Sequence, residues 1–302
     1  MPYLIVDKRN ISLEYEADCI IIRNEESRQC VPISRISQLI CMHNTVLTTQ
    51  LMGQLQERGI DLIVINNRFQ SRSYALIADQ QKTVARRCQQ YEWQKDEQIC
   101  LTLAKAVCHN KMLRLYRLAN TQQPDMASTI KSAAHTIKIA PNLAALRGVE
   151  GSLQRKAFEL LRLQLAPKYE FKSRVRRPPT DPVNALLSLT YMMLHYEAVR
   201  ACQRFGLDPY LGFYHRLTHA RYSLACDLME PLRPHAEAFV VKLLLHGILN
   251  KSAFSHGRHG CLLGKEGRQT YYEHYAEFLT VQRRALLANT RWLARRIDQS
   301  LQ

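Results

Sequence analysis

No stretch of this chain approaches eighteen uninterrupted apolar residues, which excludes an ordinary membrane-spanning helix. The opening MPYLIVDKRN lacks a basic region followed by a long apolar one, so it does not read as a secretory leader. A cytoplasmic location without a membrane partner is expected. Nine cysteines are scattered from Cys19 to Cys261 with no CxxC pair, a distribution that fits neither a disulfide framework nor a zinc ribbon. They read as reduced, small core residues. Acidic residues are also short: 26 Asp and Glu stand against 42 Lys and Arg, a formal net charge of +16.

That acid deficit is unevenly placed. Residues 1–80 hold eight Lys or Arg against nine Asp or Glu, a balance of −1, so residues 81–302 carry +17 of the total. A field of this size favours a polyanion and salt-sensitive binding through counterion release. Nucleic acid is the expected partner, because no basic amphipathic stretch offers the strong apolar face of a membrane-surface helix.

The 302 residues suffice for a sizeable core, and the hydrophobic period changes once along them. Short β-branched runs (YLIV, ISLEY, CIIIR, DLIVIN, SYALIA) occupy the opening, with a helix-like segment over 45–58 closed by Gly59. From Gln80 onward, apolar residues recur at helical spacing, as in DEQICLTLAKAVCHNKMLRLYRLA. The expected fold is α+β: a small, mainly antiparallel β domain over 1–79, serving as scaffold or dimerisation surface, then a larger all-α catalytic domain over 80–302.

The punctuation of the second part singles out GLDPYLGFYHRLTHARYSLACDLMEPLRP. Gly206 closes a helix and Pro209 bars its continuation, so residues 211–221 form an irregular segment that carries His215 into a cleft. Ser223 is expected to cap the next helix, on which Asp227 and Glu230, three apart, share one face. Glu150, flanked by Gly148 and Gly151 at the mouth of a helix running to about Ala166, is the candidate remote carboxylate. A set of His and carboxylates suits Mg²⁺ or Mn²⁺ and leaves positions open for water and phosphate oxygens. His215 and His219 have the spacing of a helical zinc pair, but Pro209, Gly212 and the lack of HExxH argue against it. Without the metal, Glu230 and Asp227 would read as residues favouring an early helix turn electrostatically.

Other basic stretches have two readings each. KYEFKSRVRRPPTDP is expected as a mobile loop, and its Lys168, Lys172, Arg174, Arg176 and Arg177 either contact DNA phosphates or line a solvated linker. Asp181 caps a helix begun by Pro182, and Asn184 in its first turn braces a ligand or simply satisfies the helix start. The tail with Arg283, Arg284, Arg291, Arg295 and Arg296 is a solvated face or a DNA or partner contact. His256 and His259 are expected in a flexible loop.

The segments GVEG, DPVNALLS, GLDPYLGFYH and SLACDLMEPLRP, in this order and at these distances, resemble the CRISPR adaptation integrase, the nuclease subunit of the spacer-acquisition complex. The likeness extends more weakly over nearly the whole chain. It implies metal ligands at Glu150, His215 and Glu230, with Asp227 the neighbouring acid of a DLxE pattern. Where the family pattern has Gly before the Arg after the His, this chain has Ala220 before Arg221. The resemblance further implies that the 3′-hydroxyl of a captured double-stranded DNA fragment is joined to a CRISPR repeat by transesterification. A homodimer assembled with a small second adaptation subunit is likewise implied. A general metal-dependent nuclease and a non-catalytic helical DNA-binding protein are the alternatives.

Overall fold

The computed structural model describes residues 3–66, 73–78, 83–176, 178–219, 221–257 and 260–301. It divides the chain into two compact units, 1–82 with 203–206, and 83–202 with 207–302. Asp79, where the first domain is expected to close, lies outside the described residues, as do Arg177, Ala220 and His259.

In the first unit, β1 (Tyr3–Val6), β2 (Ile11–Glu16), β3 (Cys19–Arg23), β4 (Arg28–Pro32), β5 (Gln38–Cys41) and β6 (Thr45–Leu47) precede helix α1 (Thr49–Glu57), which β7 (Asp61–Val64) and β8 (Tyr74–Leu76) follow. The strands form two sheets, ordered β1-β5-β7-β8 and β4-β3-β2-β6. Both are mixed, which corrects the expectation of a mainly antiparallel domain: β5 runs parallel to β1 and β7, and β6 parallel to β2. The cause is connectivity. Only β2–β3–β4 are joined by tight turns, the first through Ala17 and Asp18 at positive φ, whereas β1 reaches β5 through that whole hairpin and β5 reaches β7 through α1. The fully apolar face of β5 sits between Leu4 and Leu62 in the register, and Leu13, Ile20, Ile33, Leu51 and Leu55 close the core. The expected helix over 45–58 is shorter than its apolar pattern. Thr45–Leu47 pairs as a strand, and α1 starts only after Thr48, whose hydroxyl accepts from Leu51 N at 3.2 Å.

In the second unit, α2 (Val84–Lys95) leads to the long α3 (Glu97–Gln122), begun by Asp96, whose carboxylate accepts from the Gln98 and Ile99 amides. Pro124 opens α4 (Pro124–Ile139) at a position where no amide hydrogen is needed. Ala104, Cys108, Met112, Leu115 and Ala119 make one stripe of α3, packed on Ile130, Ile137, Leu146, Leu153 and Ala157. The last three belong to α5 (Leu143–Tyr169). This helix begins before Glu150 and runs past the expected stop at Ala166, so Glu150 lies in a helix interior and not at its mouth.

The chain continues through α6 (Pro182–Arg204), α7 (Ser223–Met229) and α8 (Arg233–Leu245). A hairpin of β9 (Phe254–Gly257) and β10 (Gly260–Leu263) then precedes α9 (Lys265–Gln299). The hairpin corrects the all-α reading and places His256 on an exposed strand and not in a loose loop. It docks on the proline segment. Gly260 has φ 86°, a Cβ there would lie 2.3 Å from Pro179 O, and Cys261 N donates to that oxygen at 2.8 Å. Among the described residues, no helix is long and apolar enough to cross a membrane, and Cys41, Cys100, Cys108, Cys202, Cys226 and Cys261 are buried free thiols.

Candidate functional site

The site grows from the irregular segment 211–219, whose backbone amides would be orphaned without an acceptor. Asp227 on α7 supplies it. Its Oδ2 accepts from Phe213 N and Tyr214 N at 2.7 and 2.9 Å, and its Oδ1 accepts from His215 N at 2.9 Å and lies 2.6 Å from His215 Nδ1. A carboxylate taking three amide hydrogens only accepts, so Nδ1 carries a proton, and in the neutral ring the Nε2 lone pair faces away from Asp227. Close approach makes Gly212 necessary. A Cβ there would lie 2.7 Å from the Ser223 carbonyl carbon and 2.8 Å from Asp227 Oδ2. Ser223 begins α7 without capping it; its hydroxyl donates to Arg216 O at 3.1 Å.

Glu230 follows where α7 gives way to a single 3₁₀ turn at Pro231, which keeps its side chain on the face of Asp227. It is 2% exposed. Its Oε1 accepts from Lys111 Nζ at 2.5 Å, while Oε2 lies 2.9 Å from Arg233 Nε and 3.8 Å from His215 Nε2 without accepting a hydrogen bond. Burial opposes the charge of Glu230, but the Arg233 guanidinium and the Lys111 ammonium outweigh it and hold the carboxyl down at about 2.

Lys111, 1% exposed on α3, joins the remaining carboxylate to this group. Its ammonium donates to Glu150 Oε1 as well as to Glu230 Oε1, and to Gln154 Oε1 at 2.5 Å. Burial disfavours that ammonium, but Glu230 and Glu150 more than compensate and raise it above the ordinary lysine value. Tyr214 OH lies 3.4 Å from Glu150 Oε2. Behind them, Gln154 Nε2 and Tyr191 OH both donate to Glu237 Oε1, at 2.8 and 2.7 Å, and burial pushes the Glu237 carboxyl up. The outer side of the 211–219 segment borders a cavity of about 340 Å³ lined by Tyr91, Asp208, Tyr210, Leu217 and His219 among others.

Of the four acidic and imidazole residues singled out in the sequence, the structure pairs His215 with Asp227 directly and Glu150 with Glu230 through Lys111. Among the described residues, no three His, Cys, Asp or Glu side chains stand together as a ready metal cage. The donor set nevertheless suits a hard cation: a buried carboxylate oxygen that accepts no hydrogen bond and is ion-paired with Arg233 lies 3.8 Å from an imidazole whose other nitrogen is held by a carboxylate. A Cβ at Gly148 or Gly151 would meet nothing within 4 Å, so the flanks of Glu150 are open.

The basic segment divides. Lys168, at the end of α5, Lys172 and Arg176 are exposed, but Arg174 points inward. Its guanidinium donates to Asn184 Oδ1 and Ser188 Oγ, both at 3.0 Å, and burial depresses it to about 10. Asn184, fully buried, also accepts from Val175 N and donates to Ser173 O and Asp181 Oδ2. These bonds pin residues 173–175 to the start of α6. They correct the expectation of a mobile loop there and, of the two readings of Asn184, match the satisfied helix start. On α9, Arg283 is ion-paired with Glu197 at 2.9 Å, so it belongs to the packing of that helix.

The two-unit fold is shared by solved structures. A Cas1 protein from Thermotoga maritima superposes with a TM-score of 0.87 at 17% identity, covering 98% of this chain and 97% of that one. A casposase bound to an integration product superposes with a TM-score of 0.82 at 18% identity, covering 98% and 91%. In sequence, the chain is 29% identical over 311 residues to the CRISPR-associated endonuclease Cas1 1 of Thermodesulfovibrio yellowstonii, covering 98% of this chain and 97% of the relative. The family described as CRISPR associated protein Cas1 matches residues 4–277. The chain belongs to this Cas1 family, that of the CRISPR adaptation integrases.

Sequence reasoning passed over Lys111, Gln154, Arg233 and Glu237. Lys111 had a local signal: it stands in the buried phase of α3, three residues after Cys108 and four before Leu115, where an apolar side chain is the rule. Arg233 and Glu237 lie three and seven residues beyond Glu230, on the same helical face.

Proposed function

We propose that the cluster of Glu150, His215 and Glu230 holds a divalent ion, Mg²⁺ or Mn²⁺, and that the chain joins the 3′-hydroxyl end of a DNA fragment to a repeat by transesterification. The observation that carries this reading is the buried Glu230 Oε2, which accepts no hydrogen bond, is ion-paired with Arg233 Nε at 2.9 Å and lies 3.8 Å from the Nε2 of a histidine oriented by Asp227. A bound ion supplies Lewis-acid polarisation of the scissile phosphate and a lowered pKa for the attacking hydroxyl or water. The chain's own groups do the rest. Asp227 fixes the segment and the ring tautomer, Arg233 and Lys111 keep the Glu230 carboxylate ionised, Lys111 ties Glu150 to it, and the buried walls exclude water. No protein nucleophile is needed.

The net charge of +16 supports double-stranded DNA as the polyanion, with Lys168, Lys172 and Arg176 as exposed phosphate contacts. The casposase likeness, which includes an integration product, supports joining over simple hydrolysis, and the likeness to a chain of a Cas6-RT-Cas1–Cas2 complex supports assembly with a second adaptation subunit; a homodimer is the assembly proposed for this chain. The test incubates the protein, with and without that subunit, with a labelled short duplex and a supercoiled repeat-bearing plasmid in Mn²⁺. Label joined to plasmid supports the reading. Nicked plasmid without joined label indicates a general nuclease, and binding without either product indicates a non-catalytic DNA-binding protein.

A further inference from the structure

Lysine is among the residues least often buried, and Lys111 is buried completely between two acidic groups that come from sites 39 and 119 residues away in sequence. We propose that Lys111 is a resident counter-cation of the metal site, which holds Glu150 and Glu230 together in the free protein and keeps the divalent ion weakly bound until a DNA phosphate arrives. The inference rests on the metal reading above and adds a control element to it.

The charges around the cluster carry the argument. Glu150, Asp227 and Glu230 bring three negative charges, and Lys111 and Arg233 bring two positive ones. Glu237 is bonded to Gln154 and Tyr191 behind these groups and is not counted among them. The cluster is therefore left at about −1. A divalent ion turns that into +1 inside a buried site, an unfavourable excess that one phosphate oxygen of bound DNA would cancel. Without the Lys111 charge the same cluster stands at −2, and a divalent ion neutralises it with no DNA present. Lys111 also occupies Oε1 of both carboxylates, so an ion must share the Oε2 atoms, beside Arg233 at Glu230 and Tyr214 at Glu150, or displace the ammonium. Either route sets ion binding against the lysine. The consequence for function is that ion loading, and hence phosphodiester chemistry, is coupled to DNA occupancy.

The test titrates Mn²⁺ calorimetrically into the full-length wild type, Lys111→Met and Lys111→Arg, with and without a short duplex, and follows thermal unfolding in chelator and in Mn²⁺. Lys111→Met is expected to bind Mn²⁺ at least about tenfold more tightly than wild type without DNA. It should gain little from added duplex, and it should melt lower than wild type in chelator but recover in Mn²⁺. Lys111→Arg should behave as wild type. Should Lys111→Met fail to fold in chelator, Lys111→Gln, which keeps a donor to the carboxylates without the charge, replaces it. Equal or weaker Mn²⁺ binding by the neutral variants overturns the proposal while leaving the metal reading standing. No Mn²⁺ binding by any of these proteins, with or without duplex, overturns both.

Discussion

Replacing Asp227 by Asn removes one charge and almost no volume, so its effect isolates what the carboxylate does. In the wild type its two oxygens receive four N–H groups, three from the backbone at 213–215 and one from the His215 ring. An asparagine can offer an acceptor to only one of the two pairs, and its NH₂ then faces the other pair of donors. Two charge-assisted bonds are lost, each contributing about 1.5–3 kcal/mol. Allowing for relaxation of the exposed end of the segment, the expected loss is about 3 kcal/mol, or roughly 6–12 °C in melting temperature for a unit of this size. If the acceptor stays with Phe213 and Tyr214, the ring of His215 loses its partner at Nδ1 and the proton moves to Nε2, which removes the lone pair facing Glu230. Joining should fall about 10–100-fold, as for other residues that orient a ligating histidine. Thermal unfolding by far-UV circular dichroism and the plasmid-joining assay read the two effects separately. An Asp227→Asn protein that melts within a degree or so of wild type and joins at the wild-type rate would refute the reasoning.

Further expectations concern packing, pH and charge. Gly212→Ala should abolish joining and lower the melting temperature, because its Cβ would meet the Ser223 carbonyl carbon and Asp227 Oδ2 inside 3 Å; a wild-type melt would show that the segment can shift freely. Burial lowers the folded pKa of His195 from 6.5 to about 4, so the unfolded chain binds the proton first and stability should fall as pH drops from 6.5 toward 4. His195→Gln should flatten that limb in urea titrations at several pH values, and an unchanged slope would contradict the assignment. Arg176→Ala should weaken DNA binding and reduce the salt slope by about one, whereas Arg174→Ala should lower stability by about 1–3 kcal/mol with the salt slope kept, since its guanidinium bonds Asn184 and Ser188. The reverse pattern would show Arg174 to be the phosphate contact.

The parts of this fold that were legible in the sequence are those set by neighbours along the chain. Gly206 at φ 65° closing α6, Asp181 capping it through Asn184 N, and Asp227 with Glu230 one turn apart all follow from local rules. What failed depends on residues far apart. Whether β5 pairs parallel or antiparallel is decided by connections of a dozen or more residues, which composition does not encode. KYEFKSRVRR looks mobile by charge, yet Tyr169 and Phe171 are each 1% exposed and the buried Asn184 amide captures Arg174. Lys111 was visible as a charge inside the apolar phase of α3, but its partners were not, since nothing local ties α3 to Glu230.

Glu150, His215 and Glu230 are proposed to act together on DNA through one divalent ion. The most direct measurement compares joining of labelled duplex to repeat-bearing plasmid in Mn²⁺ by wild type and by the Glu150→Ala, His215→Ala and Glu230→Ala proteins, at DNA concentrations where all four are shown to be saturated and folded. Each replacement is expected to remove both joining and nicking, chelator to do the same to the wild type, and DNA affinity to change little. Retention of wild-type joining by His215→Ala and Glu230→Ala while Glu150→Ala is inactive would contradict the shared-ion proposal.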